Sequence, residues 1–203
     1  MTTFRFCPAR TLALVAICAP LAAYAHAGHG DIAGLGDGIV HVTSGLDHML
    51  AAFAVGLWAM AYPWRRSWLL PLAFVAAMLA GAWLALDHEP LGSGETMIVA
   101  SVIILGAMIM RAHAFSVYAA AALCLVFGAF HGYAHGTEAG GSGSYNAHLA
   151  GLVIATALLH LAGMGVGLML RIASLWGLRI AGALIAGAGV WFAVSLATRR
   201  GYR

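Results

Sequence analysis

The sequence predicts an all-α membrane protein in which six transmembrane helices follow a cleaved N-terminal signal peptide. The first observation is composition: of the 203 residues, 63% are hydrophobic and 8% are charged, and the mean hydropathy is +0.91. Soluble domains are about 25% charged, so this chain cannot cover its surface with charge and must be solvated by lipid. The second observation is a series of apolar runs of membrane-spanning length, and the third is a beginning typical of secreted proteins. Together they predict a single six-helix transmembrane domain over residues 26–203.

The first 25 residues have the three parts of a secretory signal peptide. Two arginines within the first ten residues give a positive start, and a short apolar stretch follows over residues 11–21. The sequence Ala-Tyr-Ala at residues 23–25 has the small-x-small form of a cleavage site. We expect cleavage after this triplet, so that the mature chain begins at His26. The alternative is an uncleaved first helix.

Six later runs are apolar enough to cross a bilayer, which requires about 20 residues of helix. They are Gly45–Trp64, Trp68–Leu86, Met97–Met110, Ala112–His131, His148–Leu170 and Leu175–Ala197. The third run is short, and we expect its helix to extend back to Gly92. Between the fourth and fifth runs we expect a glycine-rich loop over residues 132–147. Four tryptophans are expected at the membrane interface or facing lipid: Trp58, Trp64, Trp68 and Trp83.

The arginines predict how these spans are oriented. The first, third and fifth connections between spans carry arginine, whereas the second and fourth carry none. Because arginine-bearing loops stay in the cytoplasm, we expect the mature N-terminus in the periplasm and the protein in a bacterial inner membrane. Six spans then leave Arg199, Arg200 and Arg203 outside, against the same rule. The arginines are too scattered to indicate nucleic-acid binding.

A first group of polar residues stands at the start of the first span: His41, Asp47 and His48. Counted back from Arg65 at 1.5 Å per helical residue, Asp47 lies about 27 Å from the cytoplasmic face, at the outer edge of the hydrocarbon or just within it. Ionisable side chains at such a depth are costly and usually functional. If the helix reached back to His41, the two imidazoles would share one face.

A second group follows the fourth span: His131, His135 and Glu138. Their spacing of i, i+4 and i+7 places two imidazoles and a carboxylate on one face of a helix. Such a set suits a borderline divalent ion. Alternatively, the intervening glycines break the helix, so that backbone groups join the site, as in other transporters. We expect the two groups to meet at the outer face and to bind one ion or two close ones.

Most other histidines map to the same side of the membrane. The candidates for accessory metal contacts are His26, His29, His88, His148 and His160. Of these, His160 lies near the middle of the membrane, while His113 lies at the inner face. Capture outside, passage by His160 and release near His113 would form an import path. Taken singly, each is equally explained as a solvated loop residue, an interfacial residue or a hydrogen-bonding partner of a neighbouring helix.

Composition and motifs weigh against other functions. A membrane-embedded metal-dependent hydrolase would use Asp47 or Glu138 as a general base, but the sequence contains no HExxH motif or nucleophile elbow. A haem-binding electron carrier would need facing histidine pairs without carboxylates beside them. A metal sensor or storage protein is a third alternative. The chain has no GxxxxGK[ST] loop, which leaves transport without ATP hydrolysis by this chain.

The two polar groups make the chain resemble the HupE/UreJ family of nickel and cobalt permeases. Two motifs carry the resemblance: His-x5-Asp-His, here His41, Asp47 and His48, and Phe-His-Gly-x-Ala-His-Gly-x-Glu, here Phe130 to Glu138. The segment Met49–Trp58, which ends in Ala-Val-Gly-Leu-Trp, is also similar to the family. The resemblance covers essentially the mature chain. One position departs from it, because Val42 follows His41 where the family often has proline.

The resemblance implies a secondary transporter that imports Ni²⁺ or Co²⁺ as its substrate, with no permanent cofactor. It implies uptake that indirectly supplies a nickel enzyme such as hydrogenase or urease. The partners expected on these grounds are the metal ion and the lipid bilayer. The sequence leaves open which ion is preferred, what drives transport and whether the protein is a homo-oligomer.

Overall fold

A computed structural model describes residues 34–86, 88, 93–111, 115–138, 145–174 and 176–201. In these residues all regular secondary structure is helical, which confirms the all-α part of the predicted fold class. The expected signal peptide, together with His26 and His29, lies outside the described residues. Cleavage after residue 25 therefore stays a prediction.

Eight helices follow one another within the described ranges. They are α1 (Leu35–Ser44), α2 (Leu46–Ala59), α3 (Trp64–Ser67), α4 (Leu69–Leu84), α5 (Gly94–Arg111), α6 (Val117–Glu138), α7 (Tyr145–Ala173) and α8 (Gly177–Gly201). Five segments, with α3 and α4 taken together, are long and apolar enough to cross a membrane, and α1 with α2 makes a sixth if this bent pair is one span. The protein is therefore a multi-pass membrane protein.

The predicted span limits are wrong in two places that shape the site. The first span is shorter than Gly45–Trp64, because α2 ends at Ala59 and the chain turns before α3. The expected loop over residues 132–147 is helical as far as Glu138, and helix starts again at Tyr145. An apolar run marks only the apolar part of a helix, whereas α6 continues through histidines and glycines that are buried against other helices.

One end of the bundle gathers the connections that carry arginine. Arg171 donates from Nη1 to the carbonyl oxygens of Met60 and Tyr62 at 3.2 and 3.4 Å. The Tyr62 hydroxyl donates to the carbonyl oxygen of Phe115 at 3.3 Å. The first, third and fifth connections therefore lie together, as the arginine distribution predicts. We call this end the arginine end.

At the opposite end of the bundle, the end of α4 lies beside the start of α7, and the end of α8 lies beside the start of α5. We call this end the histidine end. The Tyr145 hydroxyl donates to the carbonyl oxygen of Ala82 at 2.7 Å. Arg200 lies 3.6 Å from the Glu95 carboxylate and donates to the Thr96 hydroxyl at 3.2 Å. The last helix thus ends opposite the arginine-bearing connections, in keeping with the six-span interpretation.

The tryptophans divide between the core and the surface. Trp64 and Trp83 are each 59% exposed, which agrees with the expectation for interfacial or lipid-facing side chains. Trp58, on α2, is 1% exposed and packs in the hydrophobic core, so the expectation of an interfacial or lipid-facing side chain is wrong for this residue. The sequence grouped Trp58 with the other three tryptophans because it does not show that α2 is surrounded by other helices.

Helices α4 and α6 pack through three glycines spaced four residues apart. A Cβ atom on Gly128, Gly132 or Gly136 would overlap the carbonyl oxygens of Phe74, Met78 and Ala82, in that order. Small residues in this pattern let two backbones approach closely within a membrane. These contacts fix the register of α6 against α4. They thereby fix the positions of the two α6 histidines, His131 and His135.

Replacing Gly132 with alanine is expected to lower the free energy of unfolding by about 1–3 kcal/mol, the usual cost of overpacking. The added methyl group would meet backbone atoms of Met78, which cannot rotate away. Gly187→Ala is the matched control, because a Cβ there meets nothing within 4 Å and alanine favours helix. Unfolding in mixed detergent micelles measures both changes. Equal stability of the two variants would contradict the close packing of α4 and α6.

Candidate metal site

The chain breaks between α1 and α2 at Gly45, where the helix axes differ by 88°. His41 lies in the last turn of α1, and Asp47 and His48 lie in the first turn of α2. A single helix does not reach back to His41, yet the bend leaves the His41 and His48 rings 6.3 Å apart. A Cβ on Gly45 would lie 2.9 Å from His48 Nδ1 and 3.2 Å from Asp47 Oδ1. Glycine here leaves room for both side chains.

Both polar groups lie within the length of the spans. Along α2, Asp47 is about 18 Å from Ala59, at 1.5 Å per residue. This is shorter than the distance counted from Arg65, because the chain leaves the helix at Met60. Along α6, His131 is about 21 Å from Val117 by the same measure. A hydrocarbon core is about 30 Å thick, so Asp47 and His131 would lie within it if Ala59 and Val117 stand at one of its edges.

Helix α6 is continuous through the second polar group. It includes His131, His135 and Glu138, which is its last residue. The alternative that Gly132 and Gly136 break the helix is wrong, since both glycines serve the packing against α4. His131 and His135 are 3% and 2% exposed. Two imidazoles one turn apart are thus buried inside the bundle.

The two polar groups meet. The His135 ring lies 4.7 Å from the His41 ring and 4.8 Å from the His48 ring, measured between centroids. The His48 and His131 rings are 5.5 Å apart. His148, which is 1% exposed, joins them at 5.9 Å from His41. We call these five residues the histidine cluster: His41, His48, His131, His135 and His148.

Hydrogen bonds orient two of these imidazoles. His48 Nδ1 donates to Asp47 Oδ1 at 2.9 Å, and the same oxygen accepts the His48 backbone N–H. His131 Nδ1 donates to the carbonyl oxygen of Phe127 at 2.8 Å, and its buried Nε2 has no hydrogen-bond partner. Metal-binding histidines are typically held in this way, with one ring nitrogen donating to a carboxylate or carbonyl. The lone pair on Nε2 of His131 is therefore left for an ion.

The cluster is not a closed coordination shell. Among the described residues, no group of three or more His, Cys, Asp or Glu side chains is placed so that it could hold a metal ion. The rings pack edge to face or tilted, so rings must rotate before several nitrogens converge on one point. Chemically, the cluster offers several imidazoles beside one carboxylate.

A single aromatic ring connects the cluster with a deeper histidine. Phe74, which is 1% exposed, lies 5.2 Å from the His131 ring and 5.3 Å from the His160 ring. His160 is 2% exposed. Sequence reasoning named His160 but missed Phe74, which stands in a uniformly apolar run. Only the register of α4 against α6 and α7 distinguishes it from its neighbours.

The remaining candidates are placed unevenly. His88 is exposed, and none of the ring contacts between described residues includes it. For Glu138 the structure describes the helical backbone position alone. Neither residue is therefore brought into the cluster by the described contacts, and the role of Glu138 as a ligand stays a prediction.

Long apolar helices packed around buried imidazoles define the class: a multi-pass helical membrane protein with a polar site inside the bundle. The family model for "HupE / UreJ protein" matches residues 12–192. The chain is 36% identical to "Protein HupE" of Rhizobium leguminosarum bv. viciae over 156 residues, which are 76% of this chain and 81% of that protein. The chain belongs to the HupE/UreJ family, a transporter-type family associated with nickel and cobalt. No solved structure matches it.

Proposed function

We propose that this protein imports a divalent transition metal ion, Ni²⁺ or Co²⁺, across the bacterial inner membrane as a secondary transporter. The observation that carries the proposal is the meeting of imidazoles from α1, α2, α6 and α7 inside a membrane bundle. Polar groups at such depth are rare and mark ion pathways. Membership of a family associated with nickel and cobalt supports the choice of ion.

The ligand chemistry supports a transition metal over the abundant hard cations. Imidazole nitrogen suits nickel, zinc and copper, whereas calcium and magnesium prefer oxygen ligands. The carboxylate of Asp47, bound to His48, supplies one negative charge beside the cluster. The membrane potential favours entry by about 2.3 kcal/mol per elementary charge per 100 mV. An imported ion would then supply a nickel enzyme of the cell.

Uptake of radioactive nickel into transport-deficient cells tests the proposal. Cells that produce this protein should accumulate nickel faster than cells with the empty vector, with cobalt as the stronger competitor and calcium as the weaker one. Accumulation without turnover of any other substrate separates transport from hydrolysis, since a metal-dependent hydrolase would not move the ion. Identical uptake by both cell types would refute the proposal.

We further propose that the histidine end faces the periplasm and the arginine end the cytoplasm. The gathering of the first, third and fifth connections at one end supports this, because arginine-rich connections stay inside. A reporter active only in the periplasm should be silent when fused after Arg66 and active when fused after Arg203. Activity of a cytoplasmic reporter after Arg203 would mean that the bent α1–α2 pair does not count as a full span.

A further inference from the structure

His160 has an arrangement that packing alone does not explain. It lies near the middle of the 29-residue α7, is 2% exposed, and neither of its ring nitrogens has a hydrogen-bond partner. Buried polar side chains are nearly always hydrogen-bonded, and an unpartnered one within a membrane span is costly. A buried imidazole with two unengaged nitrogens is therefore suited to a ligand that is present only part of the time.

The neighbours of His160 place it on a line that leads away from the histidine cluster. Phe74 contacts both His131 and His160, with its ring edge-on to the latter at 90°. Along α4, Phe74 pairs with Gly128 of α6, whereas His131 and His135 lie further along α6 toward the histidine end. His160 lies beside Phe74 and packs against Gly56, eight residues beyond His48 along α2, so it is on the arginine side of the cluster.

A second pair of buried side chains lies one helical turn from Phe74 and His160. The Thr156 hydroxyl, on α7, lies 3.7 Å from the sulfur of Met78, on α4. Both residues are 2–3% exposed. A hydroxyl and a thioether are weak ligands that a borderline cation exchanges readily. The α4–α7 contact therefore carries polar and polarisable atoms on the way from the cluster to His160.

We propose that His160 is a second, transient binding station for the transported ion, next to the Phe74 ring that also contacts His131 of the histidine cluster. The inference rests on the proposed transport function and deepens it. The ion leaves the cluster through His131, passes Phe74 and is accepted by a ring nitrogen of His160. The step is an exchange of ligands, so no covalent bond forms and no electron moves.

Two variants separate a ligand from a packing residue. His160→Phe keeps an aromatic ring but removes both nitrogens, and His160→Cys keeps a metal ligand while replacing imidazole by a softer thiolate. The full chain is reconstituted in proteoliposomes, with radioactive nickel and cadmium as probes. Nickel uptake and equilibrium nickel binding are measured for the wild type and both variants. His88→Phe, at an exposed position, is the control.

We expect His160→Phe to bind nickel at the cluster with an affinity near that of the wild type, but to transport it at least about tenfold more slowly, since one ligand is lost from the path. His160→Cys should transport, with its preference shifted toward cadmium, because thiolate favours soft ions. Wild-type uptake by His160→Phe would overturn the inference, as would loss of nickel binding in both variants or an unchanged ion preference in His160→Cys. Wild-type vesicles that take up no nickel would instead overturn the transport function and this inference with it.

Discussion

Replacing His135 with alanine is expected to lower nickel uptake by at least about 100-fold while the protein remains in the membrane in normal amounts. Its ring lies between those of His41 and His48 and is 2% exposed, so its loss removes a ligand from the centre of the cluster. Loss of even a partner of a metal ligand costs about 10- to 100-fold. His88→Ala, at an exposed position outside the ring contacts, is the matched control and should transport normally.

The same site predicts how two changes combine. Asp47 acts through His48, and His131 contacts His48 from the other helix. Asp47→Ala and His131→Ala should each lower the affinity for nickel. The affinity of the double variant should be only slightly below that of the single variant with the lower affinity. Equilibrium nickel binding by the purified proteins measures this. Two partial defects that multiply independently would show two separate sites, and the single-cluster interpretation would fail.

Acidification of the outer medium is expected to weaken uptake. An imidazole binds metal only without its second proton, and an unperturbed imidazole titrates near about pH 6.5. Below that pH, protons compete with the ion, and affinity falls by up to about tenfold per pH unit for each imidazole that must lose a proton. The groups that face one another at this site are the imidazoles of His41, His48 and His135 and the carboxylate of Asp47.

Nickel uptake by proteoliposomes between about pH 7.5 and 5.5, with the inner pH held constant, measures the effect. His88→Ala should follow the wild-type profile, because its ring is not part of the cluster. Uptake that rises steeply on acidification would contradict simple capture by neutral imidazoles and would instead indicate that a proton enters with the metal.

Much of the site was predictable because its signals are local. His131 and His135 stand four residues apart on a helix, and that spacing alone places them on one face. The alternation of arginine between connections predicted which ends lie together, since charge in loops reports sidedness directly. The meeting of the two polar groups was predicted from the side of the membrane assigned to both, and the rings of His41 and His48 do lie against the ring of His135.

Other features depend on contacts between distant residues and left no local signal. Gly132 and Gly136 suggested a break in α6, but their partners on α4 make them packing residues. The break lies at Gly45 instead, which the sequence predicted as the first residue of a continuous span. Phe74 is one phenylalanine in an apolar helix, and its place between His131 and His160 follows only from the register of three helices.

The two helices of the bent first span, α1 and α2, both pack against α7. A Cβ on Gly38 of α1 would overlap the backbone of α7 at His148, and a Cβ on Gly56 of α2 would overlap it at His160. Because α1 and α2 pack against the same helix, that helix restricts the angle between them. His41 is four residues from Gly45, so a change of about 10° in that angle moves its backbone by about 1 Å at 1.5 Å per residue. Metal–ligand bond lengths are fixed to about 0.2 Å. In the proposed site, a shift of this size exceeds that tolerance. The packing at Gly38, less than one turn from His41, and at Gly56, about two turns from His48, would then restrict the radius of the ion that fits.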